Sequence, residues 1–177
     1  MKVKSLLYML MLGAFISTLF SCASIPEGAV AVKPFEKKRY LGKWHEIARK
    51  DFKFERNLSN VTAEYSLNDN GTIKVVNRGY NTQKEKWSQV VGKAKFAGEE
   101  DVAMLKVSFF GPFYSGYNVI ALDDEYQYAL VAGKNLDYLW ILARQKEIPS
   151  AIKDKYLAIA EQIGFDTSDL IWVAHDQ

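Results

Sequence analysis

Val61-Thr62-Ala63-Glu64-Tyr65-Ser66-Leu67-Asn68-Asp69-Asn70-Gly71-Thr72 decides the architecture. Val61, Ala63, Tyr65 and Leu67 alternate with Thr62, Glu64 and Ser66, the two-residue period of a strand with one buried face. Asn68-Asp69-Asn70-Gly71 then reads as a tight hairpin turn, because Asn and Gly tolerate positive φ. Residues 72–80 return as the second strand of the hairpin.

The same pattern extends in both directions. Strands are expected over residues 43–50, 61–67, 72–80, 87–96, 104–109, 117–122, 126–132 and 138–144. Charged or Gly-containing turns separate several of them, at Gly98-Glu99-Glu100-Asp101, Asp123-Asp124-Glu125 and Gly133-Lys134-Asn135. Residues 35–41 suit a short helical turn leading in. The period then changes: Ile152, Tyr156, Ile159, Ala160 and Ile163 share one face of a helix. Pro149 fits its first turn and Gly164 a left-handed C-terminal cap. Residues 170–174 read as a final short strand. An all-β fold follows: an eight-stranded antiparallel up-and-down barrel with one C-terminal α-helix packed outside. Closure leaves no exposed edge, and eight strands enclose room for one small ligand. A β-sandwich is the alternative, but its Greek-key crossings bring longer connections than these short turns.

The chain opens Met1-Lys2-Val3-Lys4 and runs apolar to Phe20 before Ser21-Cys22. A short basic start, about 15 mostly apolar residues and then small residues make a secretory signal. A bilayer span needs about 20 such residues, and Gly13, Ser17 and Thr18 dilute this stretch. The thiol after Ser21 resembles the lipobox of bacterial lipoproteins. That resemblance implies cleavage of residues 1–21, lipidation of Cys22, and an acylated tether over residues 22–33 ahead of a domain at residues 34–177. One acyl chain binds a membrane only marginally at ~0.8 kcal/mol per buried methylene, so several chains make the anchor stable. Ala23 follows the cysteine where aspartate marks inner-membrane retention in the enteric family. The implied location is the outer membrane, lipid-anchored and facing the periplasm.

Loss of Lys2 and Lys4 with the leader brings the 23 basic side chains level with the 21 acidic ones. A neutral domain offers nothing to nucleic acid or to a polybasic membrane site. Cys22 is the only cysteine. If acylation consumes it, no disulfide, thiolate nucleophile or cysteine metal site remains. The 49% apolar and 14% aromatic content supplies a core without such help.

Three segments resemble the conserved regions of the lipocalin family, in order: Gly42-Lys43-Trp44, Tyr117-Asn118-Val119-Ile120-Ala121-Leu122-Asp123, and Arg144. Trp44-His45-Glu46-Ile47-Ala48-Arg49, Asn77-Arg78-Gly79-Tyr80, Tyr138-Leu139-Trp140-Ile141-Leu142 and Gly164-Phe165-Asp166 look like the bacterial outer-membrane lipocalins, relatives of apolipoprotein D and the temperature-induced plant lipocalins. Leu122-Asp123-Asp124-Glu125-Tyr126 departs from the wider family's Thr-Asp-Tyr motif, as in the bacterial branch. The resemblance implies that Gly42, Trp44 and Arg144 close one end of the barrel, with Arg144 stacked over the Trp44 indole.

Function is read from what remains. Lipocalins that isomerise or reduce substrates use a thiol, and the one here belongs to the anchor. His45 and His175, the only histidines, lack metal-ligand spacing, and His45 is expected to face outward, opposite Trp44. No serine sits in a nucleophile elbow. The chain is thus expected to be no enzyme, with no metal and no cofactor. It is expected to bind, and to transport or store, a lipid, by analogy a fatty acid or lysophospholipid. Strand alternation and loop position select Tyr65, Asn77, Phe96, Leu105, Val107, Tyr114 and Trp140 as cavity-lining. Glu46 shares the inward face of Trp44 and needs a partner, for which Arg78 is a candidate. Phe109-Phe110-Gly111-Pro112-Phe113-Tyr114 is the most aromatic loop. It packs on the wall, lines the mouth together with Phe52 and Phe54, or forms a homodimer contact. The alternatives are a structural envelope lipoprotein with a filled barrel and a lipid-modifying enzyme.

Overall fold

The computed structural model describes residues 24–176. The leader, Cys22 and its lipidation lie outside the described residues. Nine strands and two helices follow in order: α1 (Lys37–Tyr40), β1 (Gly42–Arg49), β2 (Leu58–Leu67), β3 (Ile73–Asn81), β4 (Lys86–Phe96), β5 (Met104–Ser108), β6 (Ser115–Leu122), β7 (Tyr128–Ala132), β8 (Leu139–Ala143), α2 (Ser150–Ile163) and β9 (Ile171–Trp172). Each of β2 to β7 pairs with the next, β1 pairs with both β2 and β8, and β9 adds to β1. That double pairing closes the barrel: Trp44 stands opposite Ala63 on one side, and His45 opposite Ala143 on the other.

The opening hairpin forms as its residues dictate. The Asn68 amide donates to the Thr72 carbonyl at 2.8 Å, and Asn70 Oδ1 accepts from the Thr72 amide at 3.1 Å. Such local side-chain bonds are why Asn fits turns better than strands. β2 begins earlier than the alternation suggests, at Leu58, because Asn60 takes a positive φ of 53° and breaks the register between Ser59 and Thr62. β7 begins later, at Tyr128. The Asp123 carboxylate accepts from the amides of Glu125, Gln127 and Tyr128, which keeps Tyr126 in the turn at a positive φ.

β7 is buried along both faces, and the two packing clusters explain why. Ala129 and Val131 face the barrel interior with Trp44, Tyr65 and Leu105. Leu130 and Ala132 face outward, under α2, with Ile141, Tyr156 and Ala160. Burial of each such large apolar side chain contributes about 1.5–3 kcal/mol. Pro149 flanks the start of α2, and Gly164 ends it at a φ of 104°, donating to the Ala160 and Glu161 carbonyls. The Tyr156 hydroxyl fixes the helix to the wall by donating to the Tyr128 carbonyl at 2.8 Å.

The described part of the expected tether is not loose. Ala31 is buried, and Val32 bonds to the barrel on both sides: its amide to the Val119 carbonyl at 2.9 Å, its carbonyl from the Ala103 amide at 2.9 Å. Upstream, Asn118 Nδ2 donates to the Ser24 carbonyl at 3.2 Å. Residues 24–33 therefore run along the outer wall. Their small apolar side chains, featureless as a pattern, fit a shallow surface. No helix among the described residues is long and apolar enough to cross a membrane.

Candidate ligand-binding cavity

The barrel holds a cavity of about 690 Å³ that opens at one end. Pockets of about 300–1,000 Å³ suit a small organic ligand. The far end is stoppered by α1 and the chain before it. Trp44 is wholly buried there, its Nε1 donating to the Tyr40 carbonyl at 2.8 Å. The Arg144 guanidinium lies 3.9 Å from the indole centroid and donates to the Lys43, Arg39 and Leu41 carbonyls at 2.8, 2.8 and 3.0 Å. Gly42 takes a φ of 92° at this corner, and a Cβ there would stand 3.5 Å from Arg144.

Six of the seven residues selected as cavity-lining are brought together: Tyr65, Asn77, Leu105, Val107, Tyr114 and Trp140 all line the space. Phe96 is the correction. It keeps the inward face of Ala94, but it sits past the stopper, edge-on to Phe35 at 6.2 Å and under Lys37 at 5.8 Å. Strand alternation gives the face a residue takes, not its height in the barrel.

A rung of hydroxyls crosses the lower cavity. Tyr117 Oη lies 2.7 Å from Tyr40 Oη and 2.8 Å from Tyr65 Oη. Burial pushes all three phenols up, so they stay neutral and form a hydrogen-bonded chain. Asn77 Oδ1 is buried with no hydrogen-bond partner in the protein, in a residue that lines the cavity. An acceptor left in this way suits a ligand hydroxyl or amide.

Glu46 faces inward, but its partner is Arg49 and not Arg78. Arg49 Nη1 donates to Glu46 Oε1 at 2.7 Å, and both side chains are buried. Residues three apart on a regular strand face opposite ways. Here a bulge between Glu46 and Ala48 turns Ile47 and Ala48 together toward the outer cluster, which returns Arg49 to the side of Glu46. Arg78 lies instead 4.3 Å from the Trp87 ring centroid. Arg49 Nη2 also donates to the Glu55 carbonyl at 2.7 Å, and Glu55 Oε2 accepts from Trp140 Nε1 at 3.0 Å. Burial raises the Glu46 carboxyl and the Glu55 charge raises it further, while Arg49 opposes both. Glu55 is also raised by burial, opposed by Trp140 and Arg49. Two carboxylates around one guanidinium leave an uncompensated charge, which a proton relieves.

Glu55 points inward with Trp140 although it alternates in sequence with Phe52 and Phe54 at the mouth. Those residues form turns, where the two-residue period has no force. The loop and its neighbours carry a chain of ring contacts from rim to interior: Phe110 to Phe54 at 6.1 Å, Phe54 to Phe52 at 5.2 Å, Phe52 to Tyr138 at 5.3 Å, and Tyr138 stacked on Trp140 at 6.3 Å. Lys53 and Lys134 also line the mouth.

Outside the barrel, His45 is covered more than its outward direction implies. It stands edge-on to His175 at 5.2 Å, and burial, with help from Lys43, His175 and Lys146, pushes it down to about 4. His175 Nε2 lies 2.8 Å from the Glu46 carbonyl. Within the cavity wall, Ser88 donates its hydroxyl to the Gly79 carbonyl at 3.3 Å.

A closed antiparallel barrel with one flanking helix and an open apolar cavity is the architecture of a protein that holds a small hydrophobic molecule. The chain belongs to the lipocalin-like family, whose domain model matches residues 35–175. It is 54% identical over 160 residues to the outer membrane lipoprotein Blc of Citrobacter freundii and equally to that of Escherichia coli K12, covering 90% of each chain. It is 33% identical to temperature-induced lipocalin-1 of Arabidopsis thaliana, covering 78% of each chain. Insecticyanin from the tobacco hornworm shares the fold, with a TM-score of 0.67 at 19% identity, covering 85% of this chain and 86% of that one.

Proposed function

We propose that this protein binds one single-chain lipid, a fatty acid or lysophospholipid, tail-first in the barrel, as a carrier or store. It does so from the periplasmic face of the outer membrane, anchored through acyl chains on Cys22. The observation that carries the reading is the open apolar cavity, which remains after Tyr65, Tyr117 and Trp140 have taken their places in it. Space left beside such large side chains argues against a filled barrel. An acyl chain of about 16 carbons carries on the order of 10 kcal/mol of gross transfer free energy at ~0.8 kcal/mol per methylene, before ordering costs.

The charges favour a headgroup at the rim. Lys53 and Lys134 at the mouth suit an anionic phosphate or carboxylate, whereas the interior around Arg49 already holds the carboxyls of Glu46 and Glu55. A lysophospholipid meets both conditions, with its phosphate outside and its glycerol hydroxyl near polar lining atoms. The anchor is supported by the lipobox-like Leu19-Phe20-Ser21-Cys22 and by the relatives' name, outer membrane lipoprotein. A lipid-modifying role finds little support, since His45 and His175 lie outside the wall, away from Ser88 in the cavity.

The test is isothermal titration of the chain from Ala23 onward with monomeric lysophospholipid and with fatty acid. Saturable binding of at least one of them at one per barrel is the expected result. Absence of binding by both would sink the carrier reading in favour of a structural one.

A further inference from the structure

Phe54, Phe110 and Phe113 are 61%, 65% and 78% exposed. They come from two loops, β1–β2 and β5–β6, and all three line the mouth of the cavity. Phe54 and Phe110 are in ring contact, so these residues make a patch and not scattered side chains. Cations stand with the aromatics at this end: Lys53 Nζ lies 4.9 Å from the Phe54 ring, Lys95 Nζ 5.1 Å from the Tyr114 ring, and Lys134 lines the rim. Aromatic rings beside lysines are the composition of a surface that sits in the headgroup region of a bilayer, rings at the acyl boundary and cations on phosphate.

A second observation fixes the occupant. The described chain begins at this same end. The Ser24 carbonyl is held by Asn118 Nδ2, which also donates to the Gly133 carbonyl at 3.0 Å. A Cβ on Gly116 would meet the Ser24 carbonyl oxygen at 2.5 Å, so glycine is what lets the segment lie against the β6 wall there. Gly116 and Lys134 are themselves mouth residues. Cys22 precedes Ser24 by two residues, a reach of at most about 7 Å. Acyl chains on Cys22 would therefore enter the membrane beside the open end, with the segment from Ser24 docked on the wall and little slack for the barrel to turn over.

We propose that the barrel is seated mouth-down on the leaflet holding its own acyl chains, with Phe54, Phe110 and Phe113 in the interface and the Arg144 end toward the periplasm. This rests on the lipidation of Cys22 proposed above. Its consequence is that a lipid passes between leaflet and cavity without crossing water, and the rim lysines receive its headgroup as the tail enters.

With the native cysteine acylated, an introduced thiol can be labelled alone. Phe113→Cys at the rim and Asp69→Cys in the β2–β3 turn at the opposite end are each spin-labelled in the full-length lipoprotein. The protein is reconstituted in vesicles of phosphatidylethanolamine with a minority of phosphatidylglycerol, and its intact mass is measured first. The expected result is a label at position 113 that is relaxed by oxygen and shielded from an aqueous nickel chelate, with the reverse at position 69. Acylated protein whose two labels are equally aqueous would overturn the mouth-down seat and leave the anchor standing. Protein whose mass lacks acyl groups would overturn both.

Discussion

The Arg144 guanidinium sits over the Trp44 indole at 3.9 Å and ties two separate backbone segments by donating to the carbonyls of Arg39, Leu41 and Lys43 and to that of Tyr126. A cation over tryptophan contributes about 0.5–2 kcal/mol, and each bond from a charged donor about 1.5–3 kcal/mol before compensation by water. Arg144→Ala should destabilise the fold by about 3 kcal/mol in denaturant unfolding. Lipid affinity should stay within a few-fold, because the cavity mouth is at the other end. Unchanged stability with lost binding would place Arg144 in ligand recognition instead.

Among the described residues, Arg49 is the only cation bonded to the inward carboxylate Glu46. Arg49→Met leaves that carboxylate buried without its partner and should cost about 3–5 kcal/mol. Glu46→Gln should cost less, since a neutral amide still accepts from the guanidinium. Urea unfolding of the two variants gives the order, and equal losses would show that the pair acts by packing alone.

The raised carboxyls give a sign to the pH dependence. Glu46 holds its proton in the folded state where the unfolded chain has released it, above the ordinary value of 4.5. Its contribution to stability therefore falls as pH rises from 4.5 through the raised folded value. Wild type should lose stability relative to Glu46→Gln as pH rises from 4.5 through that raised value. A relative gain over that range would mean that Arg49 outweighs burial.

His45 acts in the opposite direction. Its folded value is about 4 against the ordinary 6.5, so the unfolded chain takes up the proton first on acidification. The contribution is intact above pH 6.5 and is lost as pH falls toward 4. His45→Gln should flatten the stability profile in that window, as followed by thermal unfolding. An unaltered acid limb would assign the loss to another group.

Much of this was legible in the chain because the barrel wall is regular. Alternation placed Tyr65, Asn77, Leu105, Val107 and Trp140, and Gly42-Lys43-Trp44 marked the first strand. What escaped was set by breaks in that regularity. A bulge paired Glu46 with Arg49 in place of Arg78, and turn geometry aimed Glu55 inward. The height of Phe96 depended on where Phe35 stops the barrel, a contact between residues 61 positions apart. Docking of Ser24 on Asn118 left no trace in a segment of small residues.

The central claim is that the cavity is open and holds one lipid tail. Val107 lines it on β5 and is only partly buried, so Val107→Trp should fill the space without breaking the wall. The deciding measurement is native mass spectrometry and titration of wild type and Val107→Trp with a lysophospholipid. The account predicts one lipid per wild-type barrel with a Kd below about 10 μM, corresponding to ~7 kcal/mol, and affinity at least about tenfold weaker in the variant. Equal binding by both would contradict it, because the lipid would then lie outside the barrel.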